Sequence, residues 1–77
     1  MLKGKYVGES FGVDGLTNGE IYECLGEDNG MLRVIDDSGE DYLYSISNPR
    51  PLDGSSKGGH WEIVEDDKNS TLKEILG

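Results

Sequence analysis

Basic side chains are scarce in this sequence: seven Lys and Arg stand against sixteen Asp and Glu, a formal charge of −9. Lys3, Lys5, Arg33, Arg50, Lys57, Lys68 and Lys73 are scattered along the chain. Phosphate backbones are held by grouped cations that release counterions, so nucleic acid and anionic membranes are not expected partners. Cysteine is nearly absent as well. Cys24 stands alone, which excludes an internal disulfide and a cysteine-rich metal site. It lies in a strand-like run and reads as a buried, inert thiol. Long apolar runs are missing, none approaching the ~20 residues of a membrane span. The opening MLKGKYVGES has no apolar stretch of the secretory kind, so a cytoplasmic location is expected. Length is the last scarcity. A chain of 77 residues buries roughly 60% of its unfolded surface, which leaves one small core and little room to enclose a substrate. No enzyme is expected, and no cofactor.

What is present is a series of short apolar bursts. Residues 3–9 (KGKYVGE), 20–25 (EIYECL), 31–36 (MLRVID), 41–46 (DYLYSI) and 60–65 (HWEIVE) read as strands. The turns between them have a mechanism: Asn18-Gly19, Asn29-Gly30 and Ser38-Gly39 supply residues that accept positive φ or bond their own backbone. The second to fourth strands thus form a tight meander. Residues 47–59 hold both prolines, and proline denies a ladder its donor, so this is a long surface loop. Near the end, Leu72, Ile75 and Leu76 fall on one helical face, and Thr71 with Glu74 has capping-box spacing. So short a helix needs something to dock on. Docking is the expectation, either on the outward face of the third and fourth strands or at the open barrel end near Leu2 and Val7.

If Ser38-Gly39 is a two-residue loop, Ile35 faces Tyr42, Val34 faces Leu43 and Arg33 faces Tyr44. Leu32, Val34 and Leu43 then lie in the core, and Met31, Ile35, Tyr42, Tyr44 and Ile46 face outward around Arg33. A three-residue loop would shift the register and swap the faces. Trp61 and Tyr22 read as core.

The runs Leu16-Thr17-Asn18-Gly19-Glu20-Ile21-Tyr22-Glu23, Val34-Ile35-Asp36-Asp37-Ser38-Gly39-Glu40-Asp41-Tyr42-Leu43-Tyr44 and Trp61-Glu62-Ile63-Val64 resemble a group of short bacterial and phage proteins. These are SH3-like barrels, mostly without an assigned function. Cys24 stands where that group has an aliphatic residue, and the loop at 47–59 is longer. The resemblance implies an all-β fold, a small five-stranded SH3-like barrel over residues 1–67 with a short C-terminal helix in 68–77. It implies no chemistry.

No constellation points to catalysis. Cys24 and His60 are the single thiol and single imidazole, and His60 reads as exposed at a strand start. The run Asp36-Asp37-Ser38-Gly39-Glu40-Asp41 lacks the ligand alternation of a calcium loop and reads as a solvated hairpin tip without a metal. Glu65-Asp66-Asp67 reads as a solubilising exit from the last strand, and residues 54–59 as a flexible loop. What remains is the aromatic set. Tyr42, Tyr44, Ile35 and Met31 are the candidate contact surface of a non-catalytic protein-interaction module, whose partner is a protein. The alternatives are an acidic decoy that mimics nucleic acid on a basic protein, and self-association as a homodimer.

Overall fold

A computed structural model describes residues 1–12, 15–51 and 53–77. Five antiparallel strands form one open sheet, followed by one short helix: β1 (Leu2–Gly8), β2 (Ile21–Asp28), β3 (Met31–Ile35), β4 (Asp41–Tyr44), β5 (Gly59–Glu65) and α1 (Thr71–Leu76). The strand order is β4-β3-β2-β1-β5. A meander therefore runs outward from β1 to β4, and the connection after β4 carries the chain back to the far side of β1.

Two irregularities bend the sheet. The β2–β3 register shifts between Cys24 and Gly26, and the β1–β5 register between Lys3 and Gly4. An extra residue in one strand bends it and raises its twist. The two outer strands consequently curl toward one another without forming a ladder. Trp61 of β5 reaches across, its ring 6.5 Å from that of Tyr44 in β4, and its indole N–H donates to the Ser45 carbonyl at 3.2 Å. The core fills the concave side: Tyr6, Phe11, Leu16, Tyr22, Cys24, Leu32, Val34, Trp61 and Leu72. Tyr22 and Trp61 are buried as expected. Their rings, with Tyr6, meet edge to face at 5.9 and 6.4 Å, the geometry that the ring quadrupoles favour.

The β3–β4 hairpin corrects the two-residue-loop pairing. Leu32 faces Tyr44, Arg33 faces Leu43, Val34 faces Tyr42 and Ile35 faces Asp41. The loop has three residues, Asp37-Ser38-Gly39, closed by Asp36 N–H donating to Glu40 O and Gly39 N–H to Asp36 O. Gly39 takes φ 81°, the left-handed position that such loops require. The Asp36 carboxylate fixes this choice by accepting from both the amide and the hydroxyl of Ser38. Leu32 and Val34 are core, but Leu43 turns away with Arg33, while Tyr44 and Ile46 pack against the core.

The acidic exit from β5 is a cap rather than a solubilising run. Asp67 accepts from the Asn69 and Thr71 amides and the Thr71 hydroxyl, and Asp66 accepts from the Leu72 and Lys73 amides. The orphan donors of the first turn are thereby satisfied. Ser70 precedes α1 at φ 57° with no side-chain cap of its own, so the Thr71–Glu74 capping box does not form. The helix docks on the sheet, as expected, against β2 and β5. Leu72 is fully buried in the core, and Ile75 and Leu76 pack against that core.

The loop after β4 is also tied down. Ser56 is buried, its hydroxyl donating to Glu9 O and accepting from the Gly58 amide. A methyl group at Gly59 would run into the Val7 carbonyl, so β1 and β5 close here only with glycine. Ser56, Gly58 and Gly59 are thereby pinned to the end of β1.

Candidate functional site

Because α1 docks against β2 and β5, the concave surface beside β4 stays open. A groove of about 810 Å³ lies there. Its floor is Phe11, Met31, Tyr42 and Tyr44, and its opposite wall is Asn48, Arg50 and Pro51 from the connection to β5. Three of the four candidate contact residues, Met31, Tyr42 and Tyr44, therefore come together. Ile35 does not. It lies on the convex side, lining a smaller recess of about 390 Å³ with Leu25, Asp41 and Tyr42, the last of which also borders the groove.

The two tyrosines differ in how they are held. Tyr44 is half-buried, its ring 6.2 Å from that of Phe11, and its hydroxyl donates to Asp36 Oδ2 at 2.5 Å. Burial, and then the Asp36 carboxylate, push its phenol well above the ordinary range. Tyr44 is thus a fixed part of the floor rather than a free outward ring. Tyr42 is 50% exposed and donates to Glu40 at 3.2 Å, a bond that raises its own phenol pKa. An exposed ring beside a fixed one is a ready apolar contact with a polar tip.

The hairpin tip is exposed from Asp37 to Asp41, as expected, and it is an acceptor hub as well. Asp36 is only 7% exposed. Asp37 accepts from Tyr22 OH and Thr17 Oγ1, both at 2.8 Å, while Tyr22 OH accepts from the Thr17 amide. Burial with this Asp37 contact pushes the Tyr22 phenol up to about 12, against the opposing pull of Thr17. The hub ties the β1–β2 loop to the β3–β4 hairpin and so fixes one end of the groove. Among the described residues no group of three or more His, Cys, Asp or Glu is placed to hold a metal ion.

Arg33 is spent on the convex face, its guanidinium bridging Asp28 at 2.7 Å and Asp41 at 2.8 Å. Those hydrogen bonds hold the Asp41 carboxyl below its usual range. Cys24 is buried against Gly4, and burial pushes its thiol up to about 11. His60 stands exposed beside Glu62 at 3.4 Å. The thiol and the imidazole make no pair, since each is engaged with other neighbours.

Sequence reasoning missed Phe11, Asn48, Arg50 and Pro51. They reach the groove from loops, where strand periodicity is silent. Compared with protein-family models, curated proteins and solved structures, the chain shows no match to any of them. Among the described residues no helix is long and apolar enough to cross a membrane.

Proposed function

We propose that this chain is a small non-catalytic protein-interaction module on an SH3-like sheet, and that its contact surface is the groove floored by Met31, Tyr42 and Tyr44. The observation that carries the reading is that the C-terminal helix buries its own apolar stripe elsewhere and leaves the aromatic groove uncovered. The antiparallel order, the two bulges and the Trp61 contact across the outer strands support the SH3-like geometry. The resemblance of the hairpin run to short bacterial and phage proteins points the same way.

The partner is basic. The exposed Glu40 carboxylate lines the groove, with Arg50 the one cation among its described lining residues, and the whole chain carries −9. Complementary charge speeds encounter and rejects wrong partners. The same charge opposes a homodimer. A nucleic-acid decoy is also disfavoured, because Asp36, Asp37, Asp66 and Asp67 are spent on internal hydrogen bonds, and Asp28 and Asp41 on Arg33.

Parallel capture from host extract with the parent chain and with Tyr42→Ser tests the proposal. Tyr42 is exposed enough for the variant to fold. A protein retained by the parent and lost by Tyr42→Ser is the expected result. Equal retention by both would place the contact surface elsewhere.

A further inference from the structure

The groove is lined by Tyr42, Leu43, Tyr44 and Ser45 in succession. Side chains along a strand point alternately to opposite faces, so a cavity touched by four consecutive residues is not lying over one face. It runs along the edge of the strand. β4 is the end strand of the sheet, and its ladder with β3 can be read pair by pair. Asp36 N–H donates to Glu40 O, which makes that pair a hydrogen-bonded one. Alternation then assigns Val34–Tyr42 and Leu32–Tyr44 to the bonded class, and Ile35–Asp41 and Arg33–Leu43 to the other. The peptide groups of Asp41 and Leu43 therefore point away from β3, toward the groove. Ser45 O on the same side is taken by Trp61. The N–H and C=O of Leu43 have no hydrogen-bond partner among the described residues.

From this we infer that the groove takes its partner as an added strand: an extended, basic protein segment pairs its main chain with the outer edge of β4 at Leu43, and sets an alternate side chain on the Met31–Tyr42–Tyr44 floor. This rests on the groove being the interaction surface and goes beyond it in fixing the partner's conformation. Main-chain bonds supply the affinity in such strand addition, and pockets for alternate side chains supply the selectivity. An exposed strand edge is a template for another chain, and two features select which chain. The exposed Glu40 carboxylate lines the groove, and the chain around it is strongly acidic. A second copy would bring a further −9 to the same edge, so the occupant is a cationic segment of a different protein.

The test selects binders to the full chain from a display library of random peptides about seven residues long, near the usual length of a strand. Selected peptides should be rich in Lys, Arg and β-branched residues, and proline should be excluded from alternate positions. Leu43→Pro removes the outward N–H and leaves the β3 ladder intact, a placement that edge strands tolerate. It should weaken binding by about tenfold, whereas Leu43→Ala should weaken it by less than about threefold. Methylating the matching peptide nitrogen gives the same readout on the parent chain, should Leu43→Pro not fold. On binding, the Leu43 amide should become protected from exchange.

Binders abolished by Tyr42→Ser but indifferent to Leu43→Pro and to peptide methylation would overturn strand addition and leave the groove standing. Proline-rich binders would do the same. Binders indifferent to Tyr42→Ser, or no binders at all, would overturn the groove itself. Peptide-free self-association at micromolar concentration would overturn the choice of a foreign partner.

Discussion

Tyr44 shows how one hydroxyl settles a hairpin. Two-residue and three-residue loops both suit Asp37-Ser38-Gly39, and apolar residues occupy both faces of β3 and β4. Periodicity therefore cannot choose the register. The decision comes from polar atoms: Asp36 captures Ser38 and receives the Tyr44 hydroxyl on its other oxygen. Tyr44→Phe strips a buried carboxylate of one donor and should cost about 1–3 kcal/mol, read as a lowered melting temperature with the fold retained. A second comparison tests the register. Leu32→Ala opens a cavity in the core and should cost about 2–5 kcal/mol, whereas Leu43→Ala on the convex side should cost well under half of that. Equal losses would put Leu43 back in the core. The burial of Cys24, Tyr22 and Trp61 was legible from strand position alone. The groove residues Phe11, Arg50 and Pro51 were not, because loops place side chains through turn geometry rather than a period.

At the scale of elements, the strands were legible within a residue or two, apart from the extension of β2 to Asp28. Turn chemistry at Asn29-Gly30, with φ of 55° and 80°, marks the β2–β3 hairpin plainly. The cap of α1 was hidden because its acceptors precede the helix by several residues and resemble an ordinary acidic exit. This cap makes the helix acid-labile. Desolvation pushes the Asp66 carboxyl up, but amide donation from Leu72, Lys73 and Asp67 outweighs it and leaves the group below its ordinary value. Asp67 is lowered by the Thr71 hydroxyl and amide. A carboxyl lowered in the folded state contributes stability that is complete above its unfolded value and is lost as pH falls through the folded one. Amide exchange of residues 71–76 should therefore accelerate below a pH of about 4 while the β2–β3 amides stay protected. Simultaneous loss in both places would mean that the helix and sheet unfold as one unit. Removing residues 70–77 takes Leu72 out of the core and should cost more than about 1 kcal/mol, beyond an ordinary surface change.

Over the whole molecule, charge opposes the fold that the core sustains. A charge of −9 is carried on a body of 36 × 20 × 19 Å. Among the described residues few ion pairs of permanently charged groups offset it: Arg33 with Asp28 and Asp41, and Met1 and Lys3 with Glu65. All are partly or fully exposed, and such pairs contribute about 0–1 kcal/mol each. Self-repulsion destabilises the compact state at low ionic strength. At 0.1 M salt the screening length is about 10 Å, shorter than every axis of the molecule, so repulsion between opposite sides fades while contacts at 2.7–2.8 Å in the Arg33 bridge are weakened far less. Adding sodium chloride from about 10 to about 150 mM should therefore raise the melting temperature. The strength of a basic partner's binding should move the other way, since the same screening weakens attraction across the groove. A melting temperature that falls with salt would show that the Arg33 and Glu65 pairs outweigh the net excess. The stability of the free chain would then rest on local charge order rather than on the core alone.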